Sequence, residues 1–144
     1  MRGTGVLRVA LHHVNFHTLG RRPIFEADVY DRMMRSCLTR VIAERGILCP
    51  VWELMPTHVH LIVEDFPDVP RPRIMQHLKG DTSRGFFATY PELRGDLLGG
   101  HLWAKGYFAV RIVTHRQYVA TVEYIRTNRE HADLPPPVPL EAVE

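Results

Sequence analysis

The chain has 144 residues, 45% of them hydrophobic and 24% charged, with a formal net charge of +2. That length holds one domain whose core needs no covalent staples, and the composition is ordinary for a globular protein. No apolar run approaches the roughly 18 residues of a spanning helix, which excludes a membrane role by that signal.

The opening "MRGTGVLRVALHH" lacks a signal-peptide cleavage pattern. Cys37 and Cys49 are too few for a disulfide framework or a cysteine-based zinc site. A cytoplasmic protein with reduced core cysteines is therefore expected.

"VLRVALHHVNFHT" (6–18) is rich in Val, Leu and Phe without helical periodicity and reads as a first strand, broken by Gly20 and Pro23. A helix follows over 25–45. Phe25, Val29, Met33, Cys37 and Val41 recur every four residues, with Tyr30, Met34, Leu38 and Ile42 beside them, and Gly46 supplies the stop. "ILCPVWELM" (47–55) and "HVHLIVED" (58–65) are two short strands joined by "PT"; Pro50 gives the first an edge or bulged character. "PDVPRPR" is a loop, and "IMQHLKGDTSRGFFATY" (74–90) a second helix, loosened near Gly80. The turn-rich "PELRGDLLGGHLWAKG" is expected to be irregular. "YFAVRIV" (107–113) is a fourth strand, and Thr114 is positioned to cap a last helix over 115–133. Residues 1–134 read as one domain and 135–144 as an extended proline-rich tail.

The order strand, helix, strand, strand, helix, strand, helix predicts an α+β, ferredoxin-like βαββαβ antiparallel sheet. Both crossover helices lie on one face, with an added C-terminal helix. The second face is left free for a site.

Two constellations carry chemistry. Alternation puts His58, His60 and Ile62 on one face of their strand and the apolar Val59, Leu61 and Val63 on the other. Imidazoles at neighbouring pleats can chelate one divalent ion; the plain alternative is two half-exposed histidines. In the last helix, Val119, Val122, Tyr118 and Ile125 form an apolar stripe. Tyr124 lies nearly opposite, with Gln117, Thr121, Asn128 and His131. Such a phenol is free to act, or is an ordinary interface tyrosine. Arg21 and Arg22, Arg71 and Arg73, and Lys79 and Arg84 concentrate positive charge locally, which permits nucleic-acid binding without requiring it. No GxxxxGK loop is present, so no nucleotide cofactor is expected.

Taken together, "HVNFHTLGRRPIF", "MPTHVHLIVE", "MQHLKGDTSRGF", "LWAKGYF" and "YIRTN" resemble, in order, the blocks of the single-tyrosine HUH transposases, which include the small insertion-sequence and REP-associated enzymes. The resemblance runs from about His13 to His131. It implies metal ligands at His58, His60 and Asn128 and a nucleophile at Tyr124. DNA-backbone contacts are implied at Arg21, Arg22, Lys79 and Arg84. The implied cofactor is a divalent ion, Mg2+ or Mn2+, and the implied partners are single-stranded DNA with hairpin ends and a second subunit, giving a homodimer. In that dimer, the tyrosine helix of one subunit completes the site of the other. Thr57 replaces an asparagine common before the first histidine, a change expected to matter little, and the Asn-Pro ending of the REP-associated branch is missing.

Other classes fit less well. His58, His60 and Glu64 match the HxHxxxE spacing of cupin-like metalloenzymes, but the flanking glycines are absent, and two strong helices do not belong in a small β-barrel. A metal-dependent amidohydrolase needs a barrel of around 250 residues. A non-cutting DNA-binding module on the same fold stays open.

Overall fold

The computed structural model describes residues 6–65 and 69–135. The first strand, β1 (Val6–His17), is the longest, and its alternation of apolar and polar residues lets it serve two faces at once. It pairs antiparallel with β3 (His58–Glu64) on one side and β4 (Phe108–Thr114) on the other. The short β2 (Val51–Leu54) completes the sheet in the order β2-β3-β1-β4. This is the expected ferredoxin-like sheet. The register against β4 shifts between Val6 and Leu11, where the strand irregularity lies. Among the described residues no helix is long and apolar enough to cross a membrane.

One face is covered by α1 (Asp28–Glu44) and α2 (Arg71–Thr89), which pack on each other. Val14, Phe16, Leu54, Val59, Leu61 and Val63 meet Met34, Leu38, Ile74, Leu78 and Phe86 in a dry core. Burying each such side chain contributes about 1.5–3 kcal/mol. The aromatic rings interlock, with Phe16 to Trp103 at 4.6 Å and Phe25 to Phe86 at 5.7 Å between centroids. Trp103 Nε1 donates to Thr82 Oγ1 at 3.1 Å, so its one polar atom is satisfied inside.

Several local expectations differ from the structure. The first helix starts at Asp28, because Ile24–Glu26 winds as a separate 3-10 turn. Its buried positions include Asp31 and Arg35, while Val29 is exposed. Gly46 does end it, at a φ of +63° that other residues adopt only with strain, and Ile47 N–H closes back on the Ile42 carbonyl. β2 is only Val51–Leu54, since Pro50 has no N–H to continue the ladder. The loop expected over 67–73 lies partly outside the described residues, and α2 begins within it at Arg71, with proline in its first turn. α2 runs unbroken through Gly80, because packing against α1 overrides the weak propensity of one glycine. "PELRGD" forms a short helix, α3 (Pro91–Asp96). The C-terminal helix is two pieces, α4 (His115–Arg126) and α5 (Asn128–His131), broken at Thr127. Thr114 caps α4 as expected, accepting from Gln117 N at 3.1 Å. The proline-rich tail falls outside the described residues from 136 onward.

The second face is not left open. α4 lies across its far half, burying Ile125 with Leu11, Ile62 and Ile112, and Tyr118 and Val122 pack alongside. Val119, expected in that stripe, is exposed.

The two mid-helix glycines of α2 should respond oppositely to alanine. At Gly80 a Cβ meets only the flexible end of Arg84, so Gly80→Ala should stabilise by about 0.5–1 kcal/mol. At Gly85 it meets the buried Cys37 Sγ at 3.2 Å, so Gly85→Ala should cost about 1–2 kcal/mol by overpacking. Urea denaturation midpoints read both.

Candidate active site

β3 leaves the β2–β3 turn with its backbone held from outside. Thr18 N–H donates to the Thr57 carbonyl at 2.9 Å and Phe25 N–H to the Pro56 carbonyl at 3.1 Å. The two histidines that follow therefore start from a fixed point. In register, His58 stands opposite His17 and His60 opposite Asn15, all on the face away from α1 and α2. The expected shared face is present, and the apolar Val59, Leu61 and Val63 are fully buried on the other.

Three imidazoles meet there. His58 Nε2 and His60 Nε2 are 3.1 Å apart, His60 Nδ1 is 3.0 Å from His13 Nε2, and His58 Nδ1 is 2.9 Å from Thr57 Oγ1. Each ligand candidate thus turns one nitrogen toward the other histidine and has the second nitrogen tied to a neighbour. The Nε2 separation of 3.1 Å is what two metal–nitrogen bonds of about 2.1 Å span at an angle of roughly 95°. The pair therefore fits two adjacent positions on one divalent ion. Among the described residues no third histidine, cysteine or carboxylate joins them in a metal-holding cluster.

α4 brings Tyr124 over this pair. Its ring centroid is 5.6 Å from that of His60 and 6.0 Å from that of His13, both edge-on, and the phenol is half-exposed. The remaining tyrosines pack elsewhere. Tyr30 and Tyr90 pack against Phe86, Tyr107 accepts from Arg71 Nε, and Tyr118 lies in the apolar patch under α4.

Asn128 is not on the tyrosine's helix. It opens α5 after the Thr127 break and is buried, so its position follows from how α5 docks rather than from a continuous wheel. Arg129 does that docking. Its Nη1 donates to the Leu54 carbonyl at 3.0 Å and lies 3.8 Å from Asp31 Oδ2. Arg35 donates to the same carbonyl and pairs with Asp31 and Glu53.

The basic residues fare differently. Arg21 is exposed, in a left-handed turn with φ 55°, and its charge reaches His17 and His58. Arg22 Nη1 donates to the Asp96 carbonyl, and Arg84 pairs with Asp81. Lys79 Nζ donates to the Ala104 and Gly106 carbonyls at 2.7 and 2.6 Å, pinning the "WAKG" loop and leaving one N–H uncommitted. Glu64 sits far down the strand in a groove with Leu11, Leu48, His115 and Tyr118, away from the histidine pair, which removes the cupin-like reading.

Sequence reasoning missed His13 and the role of Thr57. The signal for His13 was present: His13, Asn15 and His17 alternate with Val14 and Phe16, a period of two marking a polar face on β1. Thr57 was expected to matter little, yet its hydroxyl holds the outer nitrogen of His58.

The family model described as "Transposase IS200 like" matches residues 7–128 of this chain. The chain belongs to the IS200-like transposases. It is similar to the ISDra2 transposase TnpA of Deinococcus radiodurans, with 27% identity over 129 residues, covering 90% of this chain and 91% of that protein. A crystal structure of a protein described as a transposase from Deinococcus radiodurans R1 superposes with a TM-score of 0.64 at 25% identity, covering 88% of this chain and 96% of that one. A REP-associated tyrosine transposase solved bound to a REP hairpin shares the fold, with a TM-score of 0.62 at 18% identity over 88% of this transposase and 70% of that chain.

Burial, with added repulsion from His58 and His13, pushes the His60 imidazole down to about 4. Burial likewise lowers His13 and His58, the latter also through His17 and Arg21. These rings are neutral at pH 7, as ligation of a cation requires. An unfolded histidine protonates near 6.5, so the unfolded chain takes up protons first as pH falls, and stability is lost from there down toward about 4. Denaturant midpoints of the metal-free protein should fall steadily across that window, and His60→Gln should flatten the slope.

Proposed function

We propose that this IS200-like transposase cuts and rejoins single-stranded DNA through a 5′-phosphotyrosine at Tyr124. A divalent ion, Mg2+ or Mn2+, would be held by His58, His60 and Asn128. The observation that carries this reading is the convergent Nε2 pair, 3.1 Å apart, with the Tyr124 ring 5.6 Å from that of His60. Nitrogen ligation favours manganese in affinity.

In the cutting step the Tyr124 phenolate oxygen attacks the scissile phosphorus. The bond from phosphorus to the 3′ oxygen breaks, that oxygen takes from solvent a proton equivalent to the one the phenol released and becomes a 3′-hydroxyl, and the phosphate remains esterified to Tyr124 at the DNA 5′ end. One ester replaces another, so a 3′-hydroxyl can reverse the step and rejoin DNA without ATP. A bound ion supplies Lewis-acid polarisation of the phosphate. The phenol is weak at its free pKa of about 10, so the fixed position of α4 over the histidines matters for its reactivity.

Arg21 is the best-situated phosphate contact, being exposed and electrostatically close to His58. Arg22, Arg84 and the remaining donor of Lys79 extend that track. Hairpin DNA ends are proposed as the recognised element, by likeness to the relative solved with a REP hairpin. A homodimer is proposed on the exposed apolar residues of edge strand β4: Phe108, Val110 and Val113. The location of Tyr124 beside the histidines of its own chain supports a site completed within one subunit rather than across two. A non-cutting DNA-binding module remains the second reading on this fold, and the adduct test separates the two.

Tyr124→Phe removes one half-exposed oxygen. Folding and DNA binding should stay within about twofold, while cleavage and the denaturation-resistant protein–DNA adduct disappear. An adduct that persists, mapped to another residue by mass, would sink the assignment. His58→Ala should abolish metal-dependent cleavage at little cost to folding; His60 is buried, so its alanine variant opens a gap beneath Tyr124 and is the poorer probe. Sedimentation at micromolar concentration should show a species of twice the 16.6 kDa chain; a monomer alone would overturn the dimer.

A further inference from the structure

We infer that His13 is a positioning residue for the metal pair, holding His60 in the one tautomer that can ligate. This rests on the metal reading above. For both Nε2 atoms to bind an ion, each must present a lone pair, so both rings must carry their proton on Nδ1. Each Nδ1–H then needs an acceptor. For His58 it is Thr57 Oγ1 at 2.9 Å, and for His60 it is His13 Nε2 at 3.0 Å. His13 must in turn be protonated on its own Nδ1.

The metal-free arrangement does not impose this. The Nε2–Nε2 contact at 3.1 Å needs a proton on one of the two rings, and either can carry it. If His60 carries it, its Nδ1 accepts from His13 Nε2–H, and that tautomer cannot bind. Ligand-ready chemistry therefore depends on His13 accepting rather than donating.

His13 is built for this. Its backbone sits in mid-strand, locked between Ile62 of β3 and Val110 of β4. Its ring lies 5.2 Å from that of His60 and 6.0 Å from that of Tyr124, behind the ligand and against the phenol edge. It cannot be a ligand itself, because its Nε2 is on the Nδ1 side of His60, away from the pair. An outer hydrogen bond of this kind fixes ring orientation and raises ligand basicity, and its loss weakens metal affinity by about 10- to 100-fold.

The test measures Mn2+ affinity by calorimetry on the full chain, with thermal melting of the metal-free protein alongside. Wild type should bind one ion. His13→Ala should bind about 10- to 100-fold more weakly with at most a small change in melting. His13→Gln, whose amide oxygen can accept where Nε2 did, should recover most of the affinity. In Mg2+-loaded protein, nitrogen NMR should report His60 protonated on Nδ1 in wild type and His13→Gln, and as a mixture in His13→Ala. If wild type binds and His13→Ala binds equally, with the same His60 tautomer, the inference is overturned while the metal reading stands. If wild type and His58→Ala are alike in binding no Mn2+, the metal reading fails and takes this inference with it.

Discussion

The register of β1 against β3 is the constraint on which the rest depends. Asn15 opposite His60 and Phe16 opposite Val59 put His13, Asn15, His17, His58 and His60 on one face and Val14, Phe16, Val59, Leu61 and Val63 on the other. A slip of one residue would carry His58 and His60 into the helix-packed core and turn Val59, Leu61 and Val63 outward. The buried hydrophobic face therefore enforces the active face. The turn clamp from Thr18 and Phe25 adds a second pin at the end where the histidines begin.

The second face is divided along its length. Its far half is apolar, with Leu11, Ile62 and Ile112, and its near half carries His13, Asn15, His17, His58 and His60. α4 has an apolar stripe that fits only the first half. Docking Ile125 on Ile62 leaves the adjacent residue Tyr124, about 100° around the same turn, hanging over the second. Hydrophobic burial thus positions a side chain that is itself half-exposed. The phenol stays open to solvent while its helix is anchored on the sheet.

Beyond Ile125 the chain is tied down by charge, through Arg129 of α5. Arg35 and Arg129 converge on the Leu54 carbonyl, with Asp31 and Glu53 as counter-ions, linking α1, the end of β2 and α5. Buried charges are tolerated only when paired and hydrogen-bonded, and their directional demands choose one docking geometry among several of similar apolar area. The helix break at Thr127 allows that network to form, and it also separates Asn128 from the rotation of α4.

Much was legible from residues adjacent in the chain. The strand alternation, the Met34–Leu38 and Cys37–Val41 spacing of α1, the Gly46 stop, the Thr114 cap and the shared face of His58 and His60 all follow from local periodicity and local backbone chemistry. The element order sufficed for the fold. What only the tertiary structure decided concerns residues far apart in sequence. Gly80 stays helical because α1 packs against α2, and two of the three Lys79 N–H donors go to a loop 25 and 27 residues away. After the break at Thr127, Arg129 meets the Leu54 carbonyl across a separation of 75 residues. His13 stands behind His60 across 47 residues, a neighbour that strand pairing creates. Periodicity along a chain reports which face a side chain takes, whereas the partner it meets there is set by register and docking, which depend on the whole buried surface at once.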